Sequence, residues 1–427
     1  MRGPKRTAGP PPWRDRRFRR FWAGHAISQF GDDRITELAL PLLAAGVLNA
    51  SAGQVALLTA LVWTPNLLAV LLGAWVDHQV RKRRLMILAD LVRAAVLLSV
   101  PAAYLLDAVT LHQLYLVAVL MGTAGVLFNT AYPPFFAGLV PRASYVDANS
   151  RLSAARSASH VAGPAVGGAL IQLLAAPLTL AVDALTFLVS AVVLGRVQVD
   201  EHPVEVGTAT PPLARRAKEG LAFVIRHPVL RGSLGCCATV NFFTFIGGSG
   251  LIVLFADRDL GLSAGLIGTA FGVGATGSLL GAVAAPAVSR RFGVGRSVVV
   301  GAVLFPAAIA VTAAADGAPG LRAGALAASV FLSGFGVMLF DVNLNALQTA
   351  VTPDGVRSRV AGAFSTINYG IRPVGALTGG LLATTVGLRA TLLVAAVGGV
   401  VSLLWLLPSP IPGIRSLAPD TRVDTAA

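Results

Sequence analysis

The chain has 427 residues, 55% hydrophobic and 13% charged, with a formal net charge of +14 and a mean hydropathy of +0.73. Soluble proteins carry about a quarter charged residues, so this composition excludes a string of soluble domains. The basic residues flank long apolar runs instead of gathering on one face beside aromatic platforms, which argues against nucleic-acid binding.

In chain order, residues 1–18 form a basic arm with Arg14, Arg16 and Arg17. The arm lacks a short apolar core ending at a small-residue cleavage site, so it is expected to be retained in the cytoplasm. Trp13, Phe18, Phe21 and Trp22 are expected at the membrane interface. Apolar runs long enough to cross a bilayer follow at 19–48, 53–76, 85–106, 113–139, 151–174, 177–198, 233–255, 262–287, 297–315, 321–350, 358–384 and 388–407. They predict an all-α membrane protein of twelve transmembrane helices around a central cavity. The expected parts are an N-terminal six-helix bundle (19–198), a cytoplasmic linker (199–232), a C-terminal six-helix bundle (233–407) and a cytoplasmic tail (408–427). Within the linker, Leu213 to Pro228 carries apolar Leu213, Leu221, Val224 and Ile225 among basic residues. It reads either as an interfacial amphipathic helix or as a plain solvated connection.

Charge supports this division. Arg81, Lys82, Arg83, Arg84, Arg142, Arg215, Arg216, Lys218, Arg290, Arg291, Arg296, Arg415 and Arg422 fall on one side of the alternation, while the opposite loops carry Arg258, Arg322 and Arg389. The positive-inside rule then puts both termini in the cytoplasm of a multi-pass protein of the cell (inner) membrane. The halves also repeat. Leu72-Gly73-Ala74-Trp75-Val76 matches Leu280-Gly281-Ala282-Val283-Ala284, the interval from Gly122 through Asn129 to Pro141 matches that from Gly334 through Asp341 to Pro353, and Pro164 matches Pro373. The spacing is roughly 210 residues each time, the mark of a duplicated unit. Two parallel copies would be related by an axis along the membrane normal, with the substrate path between them.

Ionisable groups inside apolar spans cost about 2.5–3.5 kcal/mol on insertion scales and point to function. In the first span, His25, Ser28, Gln29, Asp32, Asp33, Thr36 and Glu37 recur at helical spacing and make one polar stripe. Asp33 and Glu37 stand one turn apart, so each raises the other's affinity for a proton. Two readings are open: Asp32, Asp33 and Glu37 load and release protons, or Arg34 and a partner helix neutralise them as a packing ion pair. The surplus of acids favours the first. Asp90 and Arg93, three apart, are expected to pair with each other. Asp183 either lines the cavity or satisfies a neighbouring helix. Asn129, Asp341, Asn343 and Asn345 lie at matching depth in the two halves and suggest cavity lining. Arg372, before Pro373, is a lone cation for an anionic substrate or for an acid of the first half. His160 reads as a packing histidine, and Cys236 and Cys237 as small buried residues; no metal-ligand spacing is present and no cofactor is implied.

These residues resemble the major facilitator superfamily. Gly73-Ala74-Trp75-Val76-Asp77 followed by Arg81-Lys82-Arg83-Arg84 is similar to its loop signature between the second and third helices, where a small residue and a charge lock bias one alternating-access state. The resemblance implies that role for Gly73, Asp77 and Arg81. His78 and Val80 depart from the pattern, and the second half has Ala285 in place of the acid. Gly163-Pro164-Ala165-Val166-Gly167-Gly168 resembles the antiporter motif, with Gly163, Pro164, Gly167 and Gly168 making a kinked gate helix. Ser28-Gln29-Phe30-Gly31-Asp32 and Ala89-Asp90-Leu91-Val92-Arg93-Ala94 are most similar to the branch of macrolide efflux pumps and enterobactin exporters.

The resemblance implies a secondary transporter, acting as a monomer in the lipid bilayer, that expels a small-molecule substrate as protons enter. At the repeat offset Asp33 corresponds to Asn241, so Asn241 joins the expected cavity set and the coupling acids belong to the first half. The alternative within transport is a proton- or ion-coupled uptake symporter. An embedded enzyme would need a nucleophile with its base or a metal cluster, and a sensor would need a sizeable soluble domain. The sequence offers neither, and no phosphate-binding loop for ATP is present.

Overall fold

Long apolar runs with few breakers fold as helices, because each backbone group then finds its partner within its own segment. The computed structural model describes residues 12–32, 35–69, 72, 75–76, 79, 81–141, 144–197, 199, 213–353 and 356–416, and no strand occurs among them. The helices are α1 (Arg16–Asp32), α2 (Ile35–Gly46), α3 (Ala52–Trp63), α4 (Lys82–Leu105), α5 (Leu111–Leu139), α6 (Tyr145–Arg196), α7 (Leu213–Arg226), α8 (Pro228–Ile246), α9 (Ser249–Arg258), α10 (Ala264–Phe292), α11 (Val294–Ala307), α12 (Ile309–Ala313), α13 (Pro319–Val351), α14 (Arg357–Thr385), α15 (Leu388–Val401) and α16 (Leu403–Leu406). Among the described residues, 8 helical stretches are long and apolar enough to cross a membrane, and Ala52–Leu68 is a shorter apolar run.

Local chemistry sets several boundaries. Thr110 caps α5 by accepting from the Gln113 backbone N–H at 3.2 Å. The Gln113 amide then donates to the Ser99 carbonyl at 2.9 Å, tying α5 to α4. Pro228 and Pro319 begin α8 and α13, where a missing N–H costs nothing. Proline also divides the expected ninth span. Pro306 cannot donate into the ladder, and the chain passes from α11 to α12 at Ala308. The seventh span is likewise divided at Gly247 and Gly248. The loop expected between the fifth and sixth spans is absent: α6 runs unbroken for 52 residues. A helix of that length extends about 78 Å if straight, more than one bilayer crossing needs. Its portion Ala176–Arg196 alone meets the length and apolarity of a span.

The chain clusters into two units, one of Met1–Leu48 with Leu61–Thr210 and one of Asn49–Ala60 with Pro211–Ala427. In the first, α6 is the hub and packs against α1, α2 and α4, and α5 packs against α4. Its core joins Phe18, Phe21, Met86, Phe128, Phe135, Leu152 and Leu194. Phe18 and Phe21 are each 1% exposed, so both rings face the helical core. Three residues apart, they share the helix face that meets α5 and α6.

In the second unit α10 packs along α13, α11 covers α13, and α8 contacts both α14 and α15. The three arginines of the sparsely charged loops all hold backbone carbonyls here: Arg258 that of Ala50 at 2.7 Å, Arg322 that of Leu260 at 2.8 Å and Arg389 that of Ala315 at 3.4 Å. The repeat noticed in the sequence has a packing counterpart. A side chain at Gly122 would sit 2.2 Å from the Val62 carbonyl, and one at Gly334 would sit 2.4 Å from Ser278 Oγ. Each half therefore uses the same glycine to bring its fourth expected span against its second.

The linker stretch is helical, as α7. Val224 is buried in a cluster with Leu230, Leu234, Val360 and Phe364, whereas Leu221 and Ile225 remain exposed. Cys236 and Cys237 are free and buried.

Candidate functional site

In the first unit the described members of the polar stripe of α1 and α2 are wholly or partly buried. His25, Ser28 and Thr36 are buried, and Gln29 is half-buried. The His25 ring lies among aromatic planes, with centroids 5.6 Å from Phe21, 6.0 Å from Phe128 and 5.2 Å from Tyr132. Thr36 Oγ1 donates to Asp183 Oδ2 across α2 and α6, and Thr186 Oγ1 approaches Asp183 Oδ1 at 3.4 Å. Asp183 is fully buried and is bonded by a hydroxyl of a neighbouring helix. Of the expected coupling acids, Asp33 lies outside the described residues, as does Arg34. Asp32 and Glu37 have helical backbone, but their side chains lie outside the description.

Arg93 and Asp90 form the expected pair within α4, at 3.9 Å, and both are buried. The guanidinium carbon sits 5.5 Å over the Phe128 ring and 5.1 Å over the Phe187 ring. At the N-terminal end, Trp22 Nε1 donates to the Arg151 carbonyl at 3.1 Å, and Arg151 lies 4.9 Å over Trp13. Asn129 is exposed on α5.

Gly73 and Asp77 of the expected lock lie outside the described residues, while Arg81 is exposed. Its neighbours act as clamps: Lys82 donates to the Val76 carbonyl, and Arg83 donates to the Leu194 carbonyl at 2.8 Å and to that of Gly195. The backbone of α6 runs through Gly163, Pro164, Gly167 and Gly168; Gly167 is buried, and the other three lie outside the burial description.

The second unit gathers what the sequence left scattered. Asn241 on α8 donates to the Cys237 carbonyl at 2.9 Å and accepts from Arg372 Nε on α14 at 3.1 Å. The Arg372 guanidinium carbon lies 4.9 Å over Phe245 and 4.6 Å over Tyr369. Asp341 on α13 feels the Arg372 charge. Arg372 therefore has an amide partner, and a carboxylate close enough to feel its charge, within its own half. Asn343 is not part of this group: it is buried, and its amide donates to the Leu339 carbonyl of its own helix at 2.8 Å. Asn345 is exposed. Phe245 and Tyr369 were missed by sequence reasoning, although Phe245 follows Asn241 by one turn and Tyr369 precedes Arg372 by one. No group of His, Cys, Asp and Glu suited to a metal occurs among the described residues.

The chain is 26% identical over 402 residues to the multidrug efflux pump Tap of Mycolicibacterium fortuitum, covering 92% of this chain and 95% of that one. It is 28% identical over 381 residues to YfiS, an uncharacterized MFS-type transporter of Bacillus subtilis, covering 87% and 88%. Its fold matches the crystal structure of a point mutant of the nucleoside transporter NupG with a TM-score of 0.71 at 12% identity, over 92% of this chain and 99% of the other. The model of the Major Facilitator Superfamily, transporters and not enzymes, matches residues 25–369 and 234–424, and the chain belongs to that superfamily.

Proposed function

We propose that the chain exports an amphipathic small molecule, such as a drug, an antibiotic or a siderophore, by alternating access as protons enter. The observation that carries this reading is the likeness to a multidrug efflux pump along nearly the whole of both chains. The second-half group adds support, since Arg372, Asp341 and Asn241 offer charge and amide beside the rings of Phe245 and Tyr369. In this reading Asp32, Asp33 and Glu37 carry the proton. Gln29, Asn129, Asn241, Asp341, Asn345 and Arg372 meet the substrate; Asp183 and Asn343, whose polar atoms bond within the protein, support them. Gly73, Asp77 and Arg81 bias the cytoplasmic closure, and Gly163, Pro164, Gly167 and Gly168 form the gate helix. The bundles 19–198 and 233–407 rock as a monomer with both termini in the cytoplasm.

Inverted vesicles with an acid lumen test the direction. An exporter accumulates fluorescent drugs or dyes inside them, and Asp32→Asn with Asp33→Asn abolishes that accumulation while membrane insertion persists. Accumulation only under the opposite gradient establishes uptake instead, and normal transport by the double variant removes both acids from coupling.

A further inference from the structure

The linker helix carries a basic groove that the transport reading leaves unused. It has a volume of about 540 Å³ and is lined by Arg215, Lys218, Glu219, Ala222, Phe223, Arg226 and Val356. Three cations therefore face one carboxylate, and that carboxylate is already engaged. Glu219 accepts from Arg359 at 3.0 Å and from Arg215 at 3.2 Å. Both partners are substantially exposed, so these pairs contribute orientation more than stability. The rest of the lining is apolar, from Ala222, Phe223 and Val356.

Where this groove lies follows from the chain. One residue, His227, separates the end of α7 from Pro228, the first residue of a span-length apolar stretch. Once that stretch crosses a bilayer, Arg226 stands close to the lipid headgroups. The helix is also pressed onto the start of α14, since a side chain at Gly220 would stand 2.6 Å from the Arg359 carbonyl. With 3.6 residues per turn, Leu221 and Ile225 project on the flank next to Lys218, opposite the groove's Phe223. Both are exposed. An apolar flank beside a basic stripe on a helix anchored at headgroup depth matches a molecule with a phosphate at one end and acyl chains at the other.

We infer that Arg215, Lys218 and Arg226 hold the phosphate of an anionic phospholipid in the groove between α7 and the start of α14, with its acyl chains passing over Leu221 and Ile225. The lipid fastens the linker helix at the membrane surface and screens cations that would otherwise repel one another. A soluble phosphate shares the headgroup chemistry but leaves the apolar flank without a role.

The test is native mass spectrometry of the full chain in detergent, incubated with phosphatidylglycerol or with phosphatidylcholine of the same acyl chains. The expected result is selective retention of phosphatidylglycerol. Arg215→Gln with Lys218→Gln and Arg226→Gln should lower it about tenfold or more. Removing equal charge elsewhere, by Arg290→Gln with Arg291→Gln and Arg296→Gln, should leave it in place. Leu221→Ser with Ile225→Ser should weaken retention although no cation is lost. Equal loss in the two triple variants makes the attraction diffuse and overturns the site. So does equal retention of both lipids, or complete displacement of phosphatidylglycerol by millimolar inorganic phosphate. Arg215→Lys with Arg226→Lys keeps the charge and should retain the lipid; loss in that variant shows that charge at this place does not hold it.

Discussion

Two arginines, Arg93 on α4 and Arg372 on α14, face aromatic rings in similar ways and differ in burial and in where their polar partners come from. Arg93 is 2% exposed, its carboxylate stands three residues away on the same helix, and rings from α5 and α6 cover it. Arg372 is half-buried and bonds to a neutral amide on another helix, while the nearby charge of Asp341 sits on a third. The first charge is sealed with its counter-charge inside one rigid element, so it has nothing to exchange. The second shares its partners across α8, α13 and α14, and any movement among those helices changes what it touches. The same residue type thus meets its counter-charge within one helix in one unit and bonds between helices in the other.

The largest effect should come from breaking the sealed pair. Arg93→Ala leaves Asp90 buried without its cation and removes the stem that fills the space between Phe128 and Phe187. Breaking a buried ion pair from one side costs about 3–5 kcal/mol. The thermal midpoint of the purified protein should fall sharply and expression should drop with it. Arg93→Met with Asp90→Leu, which removes both charges and keeps the volume, should recover most of the loss. A single variant that melts like the parent would mean that the pair is not structural.

Arg372→Ala should reverse that ranking of stability and transport. Its Asn241 partner is half-buried and can turn to solvent, so the stability cost is about 1 kcal/mol, the scale of one net hydrogen bond. Drug accumulation in vesicles should fall about tenfold, the loss of one charged contact to substrate or partner. Arg372→Lys keeps the charge but loses the planar stack on Phe245 and Tyr369, and should recover only part of the activity. If Arg372→Ala destabilises the chain as much as Arg93→Ala, both arginines are structural and the contrast disappears.

Much of the helical frame was legible because crossing a bilayer requires a length of apolar sequence that no other element imitates. The Asp90–Arg93 pair was legible for a similar reason, since a spacing of three fixes contact on a helix. The bond from Arg372 to Asn241 was not: it joins residues 131 apart in the chain, and neither end carries a local sign of the other. The aromatic planes around His25 come from α1 and α5 together, so no single stretch displays them. Thr36 supplied the hydroxyl for Asp183, but in the sequence it was one polar residue among several on a stripe. Packing partners on separate helices decide these contacts, and periodicity within one helix leaves them open.

A smaller effect sharpens the contrast from the supporting side. His227 precedes α8, the helix that carries Asn241, and stacks with Phe223 at 6.2 Å. Burial pushes its affinity for a proton below the ordinary histidine value of 6.5. The folded form therefore prefers the neutral ring, whereas the unfolded chain takes up a proton near pH 6.5. Its contribution to stability is fully present above that pH and is lost as pH falls through 6.5 toward the lowered folded value. Hydrogen exchange at the start of α8 should rise on acidification across this window, and His227→Gln should flatten the rise. Exchange within α4, around Arg93, should stay level over the same range, because Asp90 and Arg93 seal each other there. A matching rise in α4 would show that acid loosens both units alike and that the sealed pair confers no special rigidity.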